Sequence, residues 1–398
     1  MEQLFFRLVC LWAFQLNRRQ LRLLYTSFFE ESHIIPQPIY VITLNRKNRK
    51  GLLLRSHLSV ILAKKLVGNI RYPSIHAQMI LTQQHRFQDM KPVSNLIQTG
   101  NSFLSFAFHP TKPILATAGD DWDVKLWRLS DDGSTMSRVK NINVGFSVSS
   151  IVFHPELPLL ATGCDDRSTF LCRLSPDCSK VKFSANLLQH REGIWSIAFH
   201  PTAPIMATGS GDSTAKLWRL SPNGSAATCV QTIKHIGIVF SVGFHSTAPI
   251  LATCSVKNTV KLLKLSSDFS EATCIATLED HDSFAFHPTK LIFATGSSDN
   301  TVQLWRMSPD DWSPICMASL AGHRGSILSV VFHPTLPILV TSSSDKKVKF
   351  WILYRECSSA TCVAILHGYS KKVSSVIFHP NRPILATLNY DSKVKLWK

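Results

Sequence analysis

FHPTLPILVTSSSDKKVKFW, residues 332–351, is a phrase that the chain repeats. Its opening Phe-His recurs at Phe108, Phe153, Phe199, Phe244, Phe286, Phe332 and Phe378, at spacings of 45, 46, 45, 42, 46 and 46 residues. Near-copies at a period of this size indicate a repeat architecture, in which a unit buries its apolar faces only against its neighbours.

One copy is enough to read the unit. In the third, SIAF (residues 196–199) alternates and runs into a proline-containing turn. Pro201 presets φ for that turn and Pro204 punctuates the start of the next apolar run, IMAT. A polar GSGD turn, the run AKLWRL, a Ser-Pro-Asn-Gly turn and the run TCVQTI complete the copy. Four short strands separated by turn signals make an antiparallel meander. The expected fold is all-β: seven such four-stranded sheets stacked around an axis, so that each covers the next.

The pattern His190, Thr208, Asp212, Trp218 within one copy, and Gly322-His323, Thr341, Asp345, Trp351 in another, resembles the WD-repeat β-propeller family. The resemblance covers residues 90–398. It implies a buried hydrogen-bond relay of His, Ser/Thr, Asp and Trp in each blade, with Thr295, Asp299 and Trp305 as the corresponding set in the fifth copy. The chemistry of the four side chains suits a relay. Indole only donates, carboxylate only accepts, and imidazole and hydroxyl do both. Threonine stands in its place in all seven copies. The aspartate gives way to Lys257 in the fourth copy, and the tryptophan to Cys172 in the second and Leu263 in the fourth. The histidine position reads Thr99, Val144 and Tyr369 in copies one, two and seven, and copy five is about four residues short. Blade four is therefore expected to be among the least stable.

The copies end at Trp397-Lys398, after a third strand, so the seventh blade lacks a fourth. VSNLIQT, residues 93–99, precedes the first copy and is the expected clasp. Paired with the last blade, it closes the ring and removes an edge that would invite aggregation. The domain division that follows is a basic extension, residues 1–88, and a propeller, residues 89–398. Of the formal charge of +17, the extension carries thirteen Lys/Arg against three Asp/Glu, a net +10. Within it, residues 4–16 (LFFRLVCLWAFQL) are too short to span a bilayer and suit a membrane surface or a partner groove. RKNRK, residues 46–50, reads as a nuclear-import or nucleic-acid patch or as a solvated loop.

Chemistry is sparse. The chain has no GxxxxGK[ST] phosphate loop, HExxH pair or Gly-x-Ser-x-Gly elbow. Seven of its sixteen histidines sit in the Phe-His turn, where repetition favours capping or packing over ligand binding. Six recurring aspartates could crown the ring as acid–base groups. Each keeps a fixed spacing to its own threonine, which favours structure. Four cysteines, Cys229, Cys274, Cys316 and Cys362, recur with the repeat and lack a CxxC pair. They read as small packing residues in a reducing compartment, cytosol or nucleus. No catalytic residue, metal or cofactor is expected.

The resemblance implies that the turn between strands two and three and the link into each blade form one rim, where partners dock. By position the rim candidates are Asp120, Trp122, Arg167, Arg191, Lys257, Arg324, Lys346, Tyr369 and Tyr390. Trp122 stands in a turn where most copies hold a small or polar residue, and the cations suit an acidic peptide or a phosphate-bearing motif. Lys125/Arg128, Lys216/Arg219 and Lys395/Lys398 flank third-strand tryptophans and would form a basic band. The band is either an edge that resists strand pairing or a surface for nucleic-acid backbone. The leading expectation is a non-catalytic adaptor for other proteins. The alternatives are a nucleic-acid-associated protein using residues 1–88 and a substrate receptor of a ubiquitin ligase.

Overall fold

The computed structural model describes residues 90–97 and 103–398. Residues 4–16, RKNRK and Thr99 lie outside the described residues. The regular structure among those described is strand alone, arranged as seven four-stranded antiparallel sheets. The chain is a seven-bladed β-propeller.

Blade three shows how the sequence dictates this. Its strands Ile194–Phe199, Ile205–Ser210, Thr214–Leu220 and Ala227–Lys234 lie in chain order across the sheet. The second strand is buried at every position, as is its counterpart in every blade. Both its faces are covered by neighbouring blades, so alternation disappears. Small residues permit the approach: a Cβ on Gly209 would come within 2.8 Å of the Val239 carbonyl oxygen of blade four. The outermost strand has one face in solvent and its burial is mixed. Where the third strand meets the fourth, every blade shifts register, which sets Trp218 opposite Cys229 and Trp351 opposite Cys362. The recurring cysteines are thus partners of a β-bulge.

The Phe-His turns make the joints between blades. Each turn histidine accepts at Nδ1 from the backbone N–H two residues on, and six of the seven also from the N–H three residues on. The same imidazole lies against the phenylalanine of the next blade, with ring centroids 4.6–5.2 Å apart. The series ends with His379 against Phe108, so it passes from the last blade to the first. Third-strand cations add a second tie. Arg128 donates to the Asp177 carbonyl at 3.0 Å, Arg173 to Asn223 at 2.7 Å, Arg306 to Glu356 at 3.4 Å and Lys398 to Asp132 at 3.1 Å, and Arg219 reaches Asp268 in the same way. Each tie joins a blade to the third–fourth-strand turn of the next.

The seventh blade is built from both ends of the described chain. Its fourth strand, Pro92–Ile97, pairs antiparallel with Lys393–Trp397, and Lys91 and Lys398 exchange backbone hydrogen bonds of 3.1 and 3.2 Å. Ile384, Ala386, Leu388, Val394 and Leu396 of this blade share one apolar cluster with Phe106, Phe108, Leu115 and Leu129 of blade one.

Candidate interaction rim

The turns between second and third strands are held from below by the relay residues. In blade three the Trp218 indole donates to Thr208 Oγ1 at 2.9 Å, Thr208 Oγ1 lies 2.7 Å from His190 Nε2, and His190 Nδ1 lies 2.9 Å from Asp212 Oδ2. Blade six repeats this with 2.9, 2.8 and 2.9 Å among Trp351, Thr341, His323 and Asp345. One proton assignment satisfies every group: indole N–H to hydroxyl oxygen, hydroxyl to imidazole Nε2, and imidazole Nδ1–H to carboxylate. Burial lowers the pKa of both histidines and outweighs the aspartate beside each, so the imidazoles stay neutral. Burial pushes the Asp212 carboxyl up, but hydrogen bonds from Thr214, the Arg191 amide and His190 hold it below its ordinary range. Each carboxylate also anchors the rim, because the Arg191 and Arg324 amides donate to it at 2.9 and 3.0 Å.

Elsewhere the relay is partial. Blade one keeps the Trp127–Thr117 bond, 2.9 Å, and pairs Asp121 with Lys125. Blade five keeps Trp305–Thr295 at 2.8 Å. There Asp299 caps Thr301 at 2.7 Å, and His281 Nδ1 has no partner, since the shortened copy brings its histidine in differently. In blade seven Tyr369 takes the histidine's place, its hydroxyl 3.0 Å from Thr387, which Trp397 also contacts at 3.0 Å. Tyr369 is only 6% exposed and so is a relay residue and not a rim contact, a correction to its sequence placement. In blade four, Thr253 Oγ1 and both His235 ring nitrogens lack partners, because Leu263 supplies no donor and Lys257 no acceptor.

The rim itself has a repeated backbone shape. The residue after the relay aspartate, or after Lys257 in blade four, lies in the left-handed region: Trp122, Arg167, Ser213, Asn258, Asn300, Lys346 and Ser392, with φ between 57° and 81°; Lys257 itself has φ 77°. That conformation turns the side chain outward, and for a bulky residue it is unfavourable. Trp122 adopts it and is still 55% exposed. Its carbonyl accepts from Val144 at 3.0 Å, which brings the link carrying exposed Phe146 beside it. Exposed Trp195, Ile236, Val256 and Tyr390 continue the apolar series around the rim. Sequence reasoning missed Phe146, Trp195, Ile236 and Val256. The signal available was a large apolar residue in a link or turn where other copies are polar. Arg167, Arg191, Lys257, Arg324 and Lys346 are exposed among them and carry no ion pair among the described residues; Asp120 is half-buried.

The basic band has other work. Arg128, Arg219 and Lys398 tie blades together, Lys125 meets Asp121, and Lys216 and Lys395 donate to Thr232 and the Gly368 carbonyl, both at 3.0 Å. Among the described residues there is no group of three or more His, Cys, Asp or Glu placed to hold a metal, and no helix long and apolar enough to cross a membrane.

The family model of the WD domain, G-beta repeat, matches seven segments of the chain: residues 90–128, 140–171, 181–219, 227–263, 272–306, 314–351 and 360–398. A comparison with curated proteins gave no match.

Proposed function

We propose that this chain, which belongs to the WD-repeat family of β-propellers, is a non-catalytic scaffold that holds a partner protein on the rim, with Trp122 as its anchor. Propellers of this family commonly serve as platforms for protein–protein interaction, and the fold alone does not choose a partner. The observation that carries the reading is Trp122. A bulky side chain in the left-handed region costs roughly 1–2 kcal/mol, and more than half of the indole faces solvent. The indole, 55% exposed, gains little from packing within the propeller, whereas tryptophan in a partner's pocket is a typical hot spot. Phe146 beside it and unpaired Arg167 in the next blade suit a segment that mixes apolar and acidic residues.

The test is Trp122→Gly. Glycine accepts the left-handed backbone, so melting temperature should hold or rise by a few degrees. Partners captured from cells on the intact protein should fall at least tenfold on the variant. Undiminished capture with an unchanged melting temperature would overturn the reading.

A further inference from the structure

Around the rim the charges are sorted by sector. Blade six presents Arg324 in the link before its first strand and Lys346 and Lys347 in its turn between second and third strands. Blade seven presents Lys371 and Lys372 in its own link. None of the five makes an ion pair among the described residues. Backbone bonds hold the pieces together. The Ser344 amide donates to the Ser326 carbonyl and the Tyr390 amide to the Lys372 carbonyl, each at 2.9 Å. Val348 pairs with Leu366, which sets Lys346 and Lys347 beside the start of the link that carries Lys371 and Lys372. The five cations thus form one sector across two neighbouring blades.

The acids within this sector are already engaged. Asp345 Oδ2 accepts from His323 Nδ1 and the Arg324 amide, at 2.9 and 3.0 Å, and its Oδ1 accepts from the Lys347 amide at 3.0 Å. Asp391 accepts from the Ser370 hydroxyl and lies 3.7 Å from Lys393. Arg324, Lys346, Lys371 and Lys372 are exposed and Lys347 is half-buried. Lys346 and Lys347 are adjacent along the chain, as are Lys371 and Lys372. Such neighbours lie inside the Debye length, about 8 Å at physiological salt, so their mutual repulsion is only partly screened. An anion seated among them would relieve it.

The blades on either side carry the opposite sign. The link into blade five presents Glu279 and Asp280, both exposed, and the turn of blade one presents Asp120 and Asp123, both half-buried. A long polyanion such as RNA tracks a continuous basic groove, and here it would meet carboxylates beyond each end of the sector. A short anionic segment would not. The cations also stand on separate turns, and four of the five are lysines. Lysine is a flexible point charge and lacks the planar fork with which arginine clamps a phosphate. The arrangement suits carboxylates spaced along an extended chain.

We infer that the rim sector of blades six and seven binds a short acidic segment of a partner protein. Arg324, Lys346, Lys347, Lys371 and Lys372 face its carboxylates, and the acidic rims of blades five and one mark its ends. The inference rests on the reading that the rim holds a partner, but it does not use Trp122.

The experiment is fluorescence anisotropy of the full chain with four labelled probes: a peptide of alternating Glu and Ser, its Gln-Ser counterpart, the Gln-Ser peptide bearing one phosphoserine, and oligouridylate. The Glu-Ser peptide should bind about tenfold more tightly than the Gln-Ser peptide. Lys371→Glu/Lys372→Glu and Lys346→Glu/Lys347→Glu should each weaken it about tenfold, and Lys371→Gln/Lys372→Gln about threefold. Lys140→Glu/Lys182→Glu, the same charge change on the outer strands of blades one and two, should stay within about twofold. Any attraction from the basic extension is common to both sets and cancels. Trp122→Gly should also stay within about twofold, so that loss of the anchor and loss of the sector read separately. The replaced lysines make no ion pair, and each variant should melt with the intact protein. Rim reversals no stronger than the control pair would overturn the inference, as would a tenfold loss with Trp122→Gly. So would finding that the rim reversals weaken oligouridylate or the phosphoserine peptide more than the Glu-Ser peptide.

Discussion

Blades three and four share the lengths of their first three strands and the bulge between third and fourth, and differ in an internal chain of four side chains. In blade three, Trp218, Thr208, His190 and Asp212 satisfy one another. In blade four, Leu263 and Lys257 remove the two ends, and the buried Thr253 and His235 are left with no partner. Both second strands are nevertheless fully buried. The difference teaches that burial between neighbours builds a blade and the relay adds to its stability. A buried polar group without a partner costs about 1–3 kcal/mol, and a hydrogen bond to a charged group contributes about 1.5–3.

The perturbation of largest expected effect acts on both blades alike. Burial, together with neighbouring Lys112, Lys290 and Arg382, lowers the turn histidines His109, His287 and His379 to about 4. His154, His200 and His245 are lowered too, by burial. A histidine with a folded pKa below its unfolded value near 6.5 binds more protons when unfolded. Its stabilising contribution is complete above pH 6.5 and declines as pH falls towards 4. The cause is direct, since a protonated Nδ1 cannot accept the turn amides. Melting temperature should therefore fall by ten degrees or more between pH 7 and pH 4.5. His109→Asn, which retains a side-chain acceptor, should flatten that slope; an unchanged melting temperature across the range would refute the account.

The next effect separates the blades. Asp212→Ala strips acceptors from His190, Thr214 and the Arg191 amide, and chemical denaturation should show a loss of about 3 kcal/mol. Lys257→Ala at the same place in blade four should stay within about 0.5 kcal/mol. Equal losses would erase the distinction. Smaller still is the threonine pair. Thr208→Val should cost about 1–3 kcal/mol because it orphans Trp218 and His190, whereas Thr253→Val should be neutral or stabilising because its hydroxyl has no partner to lose. The subtlest readout is hydrogen exchange in the intact protein. Amides of Ile250–Ser255 should exchange about tenfold faster than those of Ile205–Ser210. Slower exchange in blade four would mean that the relay is not what sets local stability.

The period, the four-strand unit, the number of blades and the relay chemistry were legible in the residues, because each is written several times over. Thr208 and Thr341 sit eighteen residues after His190 and His323, a spacing that bonded Tyr369 and Thr387 share. Single-copy features were harder to read. Tyr369 looked like a rim residue because tyrosine in a link suggests a contact, yet its hydroxyl reaches Thr387 and the ring is covered. The lysines and arginines beside the tryptophans looked like a surface band. Their reach to a carbonyl some fifty residues on depends on how blades lean together, which no single repeat encodes. Phe146 and Ile236 were invisible as surface groups because an apolar residue beside a strand start reads as core.

The Phe-His joint has a bearing on how such a ring can change. The same two side chains meet at every boundary, so any unit presents a fitting phenylalanine to whichever unit precedes it and a fitting imidazole to whichever follows. A duplicated unit spliced into the array would find that same ring contact at each new boundary, and curvature would limit how many units the circle admits.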